Sequence, residues 1–224
     1  MEVNAAAPAL VGVDLYRFFH AGDDEVLALR GVTIAVGSGE LVVVRGPSGS
    51  GKSTLLNCLA GLDEPDGGMV RLAGERLSRR PEAERAALRA RHLGVLFQSW
   101  NLVAHLTVED NVRLAQRLGG ADDRARRRSL LTRLGLDRRR GAMPSELSGG
   151  EAVRAGLATA LANDPAVLIA DEPTAEVDRA AERAVLSLLG DEVGAGRAVL
   201  VATHSDAVAA ASTRVVHLVD GRAA

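Results

Sequence analysis

The sequence predicts an α/β fold: a core built round a phosphate-binding loop, preceded by a small antiparallel β-region and interrupted by an all-helical insert. Three observations carry this. Residues 41–44, four strand formers, lead into Gly46-Pro47-Ser48-Gly49-Ser50-Gly51-Lys52-Ser53-Thr54, and an apolar helical stretch follows over residues 55–62. Short apolar runs at residues 166–170 and 198–202 read as buried strands, each ending in polar residues. Between them and the loop, residues 107–162 carry helical patterning throughout.

Taken in order, residues 10–19 and 26–36 alternate as strands, with a turn at Gly22-Asp23-Asp24. Alternation groups Val11, Val13, Leu15 and Phe19 on one face and leaves Tyr16 and Phe18 on the other, so it expects Phe18 outside. The motif at residues 46–54 fits G-x-x-x-x-G-K-[ST] without a mismatch. Glycines let the backbone approach an anion closely, and successive N–H groups with the helix N-terminus face it. Lys52 is expected to reach the β- and γ-phosphates, and Ser53 to hold Mg²⁺. Lys52 is also the only lysine among 27 basic Lys and Arg residues. Arginine replaces lysine on a surface, but not where a compact ammonium on a flexible stem is needed.

Beyond the loop, Gly67-Gly68 marks a turn and residues 69–73 a short strand. Residues 81–91 form a charged helix opened by Pro81, and residues 93–97 a buried strand. In the helical stretch, Arg124, Arg126, Arg127 and Arg128, then Arg138, Arg139 and Arg140, read as a solvated face, with anionic headgroups as the alternative. Ser148 and Glu151 have capping-box spacing within Leu147-Ser148-Gly149-Gly150-Glu151. This segment is either a helix start or a second anion site, and the residues alone do not decide. Asp171 ends its strand where a carboxylate holds Mg²⁺ through water, and Glu172 is placed to orient or deprotonate a water. Asp178 opens a helix. His204 ends the neighbouring strand, on the edge where α/β folds bind ligands.

Composition narrows the classes. A net charge of −2 gives no global pull toward nucleic acid. Cys58 is the only cysteine, so no internal disulfide forms, and it is expected to be an inert buried thiol. No basic segment precedes an apolar one at Met1-Glu2, so no signal peptide is expected, and no apolar run reaches bilayer-spanning length. The five aromatics fall in two places: Tyr16, Phe18 and Phe19, then Phe97 and Trp100.

With these motifs in register, the chain resembles the nucleotide-binding subunit of an ABC transporter from end to end. Residues 46–54 match its Walker A loop, Gln98 its Q-loop glutamine and residues 147–151 its signature. Residues 167–171 match its Walker B strand, Glu172 its catalytic glutamate, Asp178 its D-loop aspartate and His204 its switch histidine. Phe97-Gln98-Ser99-Trp100-Asn101-Leu102, Glu151 and Ala170-Asp171-Glu172-Pro173-Thr174 point to the macrolide-exporter, lipoprotein-release and cell-division class. The resemblance implies a RecA-like ATPase core at about residues 1–97 and 163–224, with a helical signature subdomain at about 98–162. It implies ATP and Mg²⁺ as cofactors, the metal held by Ser53, Gln98 and Asp171, and adenine stacked on Phe19. It places Trp100 beside the groove that receives the permease.

It further implies a homodimer in which Ser148, Gly149, Gly150 and Glu151 of one subunit cap the partner's ATP. The partner is an integral-membrane permease on a separate chain, at the cytoplasmic face of the cell membrane, with no nucleic acid involved. Ala152 and Val153 replace two usual glutamines, Thr159 a common arginine, and Ala175-Glu176-Val177-Asp178 the usual D-loop. No catalytic group is lost. A soluble ABC-type ATPase acting on nucleic acid or ribosomes is the alternative. A P-loop kinase is a third class that leaves the signature unexplained.

Overall fold

Two sheets organise the chain. The computed structural model describes residues 7–21, 24–97, 101–175 and 177–224. The reading at Gly22 and Asp23 and the assignments to Gln98, Ser99, Trp100 and Glu176 lie outside the described residues.

The first sheet is antiparallel, built from β1 (Leu10–Ala21), β2 (Asp24–Val36), β4 (Gly67–Leu72) and β5 (Glu75–Arg76) in the order β2-β1-β4-β5. The second has six strands. Its members are β3 (Leu41–Arg45), β6 (Leu93–Leu96), β7 (Val167–Asp171), β8 (Ala198–Ala202), β9 (Arg214–Val219) and β10 (Arg222–Ala223). Their order is β10-β9-β3-β8-β7-β6, parallel apart from the antiparallel β10 edge.

Helix α1 (Lys52–Leu59) follows β3, and α2 (Glu82–His92) precedes β6. Between β6 and β7 the described residues contain only helices: α3 (Val108–Leu118), α4 (Arg124–Arg133), two short 3-10 turns, and α5 (Gly149–Ala160). Helix α6 (Arg179–Gly194) links β7 to β8, and α7 (Asp206–Ala210) links β8 to β9.

The parallel strands are apolar without alternation because both faces are covered. Val42 and Val44 join a core with Leu55, Leu59 and Val32, beneath the antiparallel sheet. Leu41 and Val43 join a second core with Val153, Leu157 and Leu189. Burying each such side chain contributes about 1.5–3 kcal/mol, so a polar residue on either face of β3 would be costly.

The strand β1 departs from simple alternation. Its register against β2 shifts between Gly12 and Leu15, between Leu15 and Tyr16, and between Arg17 and Phe18. Asp14 sits at φ +48, with its N–H donating to Thr33 Oγ1 at 3.0 Å. The irregularity moves the inward set from Leu10 and Gly12 to Leu15, while Val11 and Val13 are only half-buried. The expected common face for Val11, Val13, Leu15 and Phe19 is therefore wrong. A β-bulge re-aims the side chains beyond it. Phe18 ends half-buried and Phe19 is 40% exposed, the reverse of what alternation expects.

The arginine face needs a second correction. Arg127 is 5% exposed. It donates to Gln116 Oε1 at 2.6 Å and Asp122 Oδ1 at 2.9 Å, and its Nε lies 3.4 Å from Glu109 Oε1. It ties α3 to α4 rather than facing solvent. Helical spacing cannot distinguish a solvated arginine from one covered by acidic residues on another element. Cys58 is buried as expected, and burial pushes its thiol up to about 12. The short β5, α7 and β10 were not anticipated from the sequence.

Candidate nucleotide site

The parallel sheet aligns three strand ends. Val44 of β3 pairs with Ala202 of β8, and Ala202 pairs with Asp171 of β7. The loop after β3, the carboxylates after β7 and His204 after β8 therefore meet at one edge. They line a cleft of about 990 Å³ with Phe19, Ser48, Gly49, Lys52 and Ser53. That is the upper end of the size range for small-molecule sites.

The loop is shaped by its glycines. Gly49 and Gly51 sit at φ +80 and +100. At Gly46 the need is room rather than φ: a Cβ there would lie 2.0 Å from the carbonyl oxygen of Leu218 in β9. Pro47 accepts the N–H of Ser50 at 3.2 Å, closing the turn. Helix α1 starts without a side-chain cap or an acidic residue in its first turn. Its first N–H groups and the positive end of its dipole are left for an anion. The Lys52 ammonium donates to the carbonyls of Gly46 and Pro47 at 2.8 and 3.1 Å, so it lies across the loop.

The carboxylates stand opposite. Asp171 is the last residue of β7, and Glu172 follows in the left-handed region at φ +47. The Glu172 N–H donates to the Ala202 carbonyl at 2.8 Å, which locks that turn to β8. One Glu172 oxygen accepts the His204 N–H at 3.3 Å, and the other lies 3.4 Å from His204 Nε2. Strain at a non-glycine residue on a strand end is a mark of functional sites. Among the described residues no group of three His, Cys, Asp or Glu could hold a metal ion. The donor set present, a Ser53 hydroxyl and the Asp171 carboxylate in one cleft, suits Mg²⁺, which binds few protein ligands and relies on phosphates and water.

The residues read as the signature stand elsewhere. Ser148 caps α5: its hydroxyl accepts the Glu151 N–H at 3.3 Å, while Glu151 accepts the Ser148 N–H at 2.9 Å. So the capping box is formed. Ser148, Gly149 and Gly150 line a separate basin with Arg154 and Asp178, and none of the three lines the main cleft. Asp178 caps α6 through the N–H groups of Ala180 and Ala181, at 2.9 and 2.8 Å. A Cβ on Gly150 would come 2.8 Å from the Ala181 methyl, so the glycine lets α5 and α6 close.

Two contacts at these sites escaped the sequence reading. Arg17 lies against Phe19, held by Asp63 and Asp66. Arg139 donates to Glu151 at 2.8 Å. The Ser148 N–H first, and Arg139 second, hold the Glu151 carboxyl at about 2. Because the folded value is depressed, this contribution is present above the ordinary carboxylate range and lost as pH falls toward about 2. Arg139→Ala is therefore expected to move the Glu151 titration upward, toward that ordinary range. Carboxyl NMR titration of both forms checks it.

The family model described as ABC transporter matches residues 29–175. The chain belongs to the ABC transporter family. It carries the ATPase cassette of that family, and its fold is that of solved cassettes. A bacterial ABC transporter cassette solved as a dimer is 32% identical, with a TM-score of 0.89 and 96% of each chain covered. The same cassette in a post-hydrolysis state bound to ADP and Pi gives 0.88. A macrolide export ATP-binding/permease protein of Photorhabdus laumondii is 40% identical over 208 residues, 92% of this chain but 32% of that one. The cassette thus spans about a third of the length of the macrolide-export relatives it matches. An uncharacterized ABC transporter ATP-binding protein of Thermotoga maritima is 40% identical, covering 94% of this chain and 91% of the relative.

Proposed function

We propose that this cassette hydrolyses Mg-ATP between two head-to-tail copies and drives an integral-membrane permease carried on a separate chain, working at the cytoplasmic face of the cell membrane. The observation that carries this is the separation within one chain: Lys52, Asp171, Glu172 and His204 share a cleft, while Ser148–Gly150 face another basin. One chain alone leaves the phosphate end of the cleft without the signature, and a second copy supplies it. The relatives named as export or transporter proteins support the permease role. The Thermotoga relative, an ATP-binding protein covered over nearly all its length, supports a permease on another chain. Among the described residues no helix is long and apolar enough to cross a membrane. In this reading the helical arm, about residues 98–162, presents the signature and receives the permease.

Each group then has a task. The loop amides and Lys52 hold the phosphates, and Phe19 stacks on adenine. Ser53, Asp171 and Gln98 would hold Mg²⁺, which would supply positive charge beside the phosphate oxygens. Glu172 orients a water and accepts its proton as the water oxygen bonds to the γ-phosphorus and the bond to ADP breaks. His204, touching both Glu172 oxygens through its N–H and ring, holds that carboxylate in place.

A subunit-mixing experiment tests the in-trans site. Chains carrying Lys52→Ala or Ser148→Arg are each expected to be inactive. Mixed together they rebuild one intact site, from one chain's loop and the other's signature, so about half of the mixed dimers' sites are lost and hydrolysis returns. Mixing wild type with the double variant restores nothing beyond the wild-type homodimers present. A mixture of the two single variants that stays inactive, while wild type keeps its full rate per chain beside the double variant, would refute the arrangement.

A further inference from the structure

The antiparallel sheet meets the nucleotide cleft through Phe19 alone among its aromatics: Phe19 lines the cleft, whereas Tyr16 and Phe18 do not. The ring is not free-standing. The Arg17 guanidinium lies 4.7 Å from its centroid. Arg17 itself does not line the cleft.

That guanidinium is fixed from several directions. Its Nε and Nη2 donate to the two oxygens of Asp63 at 2.9 and 2.8 Å, a bidentate pair. Its Nη1 donates to Asp66 at 3.0 and 3.3 Å. Asp66 also accepts the Phe18 N–H at 2.7 Å, and its own N–H donates to the Tyr16 carbonyl at 2.9 Å. Asp63 stands just past α1 and is tied to it through Asn57, whose carbonyl accepts its N–H at 3.2 Å. The helix that begins in the phosphate loop therefore ends at the anchor of Arg17. The chain of contacts runs from loop to α1, to Asp63, to Arg17, to the ring.

From this we infer that Arg17 is a positioning residue for the nucleobase: it backs Phe19 and fixes the ring's distance from the phosphate loop. The inference rests on the reading of Phe19 as the base platform, and it makes that platform a two-layer device. A cation on one ring face offsets the negative quadrupole and leaves the other face better suited to an electron-rich base. Only a planar, bidentate cation can lie flat on the ring and bridge two carboxylates at once, so lysine is not equivalent here.

The test compares the affinity of ATP with that of inorganic tripolyphosphate, which has the phosphates and no base. A merely structural role would lower both. Phe19→Leu is expected to weaken ATP by roughly 5- to 100-fold and leave tripolyphosphate unchanged, as loss of one base–aromatic stack implies. Arg17→Met is expected to weaken ATP by about 3- to 10-fold with tripolyphosphate again unchanged, and to add nothing in the Phe19→Leu background. Asp63→Asn, which leaves Arg17 in place but loosens it, is expected to move the same ratio less. It also reads the effect if Arg17→Met fails to fold.

An unchanged ratio in Phe19→Leu would overturn the base-platform reading itself. A reduced ratio there, with Arg17→Met and Asp63→Asn lowering both ligands equally or neither, would overturn the role of Arg17 and leave the platform standing.

Discussion

Glu172→Gln is expected to cut ATP turnover by about 10²- to 10⁴-fold while nucleotide affinity changes only a few-fold. The size follows from the chemistry removed. The amide keeps the shape of the carboxylate and can still accept the His204 N–H, which now lies 3.3 Å from Glu172. The left-handed turn and its bond to Ala202 are backbone features and survive the change. What the amide lacks is the ability to take a proton from the attacking water. Turnover should fall without a matching loss of binding, measured as single-turnover hydrolysis beside equilibrium nucleotide titration. A variant that bound ATP 100-fold more weakly would place Glu172 in binding rather than in the chemical step.

Gly46→Ala is expected to abolish nucleotide binding at micromolar ATP and to destabilise the chain by about 1–3 kcal/mol, in the range of overpacking. Its Cβ would stand 2.0 Å from the Leu218 carbonyl oxygen and 2.7 Å from Ser50 Oγ. The hydroxyl can turn away, but the carbonyl belongs to β9, whose neighbouring His217 is paired with Arg45 just before the loop. The loop must therefore move, and with it the amides that face the phosphates. Gly190→Ala in α6 is the control. Nothing lies within 4 Å of a Cβ there, so that change should raise stability by up to about 1 kcal/mol. Thermal melts and nucleotide titrations of the two variants separate a steric effect from a general intolerance of alanine.

How much of this was legible in the sequence depended on whether the information was local. The phosphate loop, the buried strands ending at Asp171 and near His204, and the caps at Ser148 and Asp178 are short motifs whose neighbours in sequence are their neighbours in space. Their places in the fold follow from that, and the parallel sheet then sets three strand ends side by side. The face of β1 was not legible, because simple alternation ignores a bulge at Asp14 that changes the inward set, although Gly12 and Gly31 flank it. Arg127 was misread for a related reason: its partners Gln116 and Asp122 stand on or beside another helix. The contacts of Arg17 with Asp63 and Asp66, and of Arg139 with Glu151, join segments 46, 49 and 12 positions apart. Spacing arguments do not reach across such separations. The replacements Ala152 and Val153 are both buried in the structure, so they pack within the helical part of the fold.

The central claim is that ATP joins two copies of this chain, each signature closing the other's cleft. Sedimentation of the Glu172→Gln chain, with and without Mg-ATP, tests it most directly, because slow hydrolysis preserves the ligand that bridges the copies. The account predicts a monomer without nucleotide, a dimer with Mg-ATP, and a monomer again when Ser148→Arg is added. A chain that stays monomeric in saturating Mg-ATP at high protein concentration, or a dimer indifferent to Ser148→Arg, would contradict it.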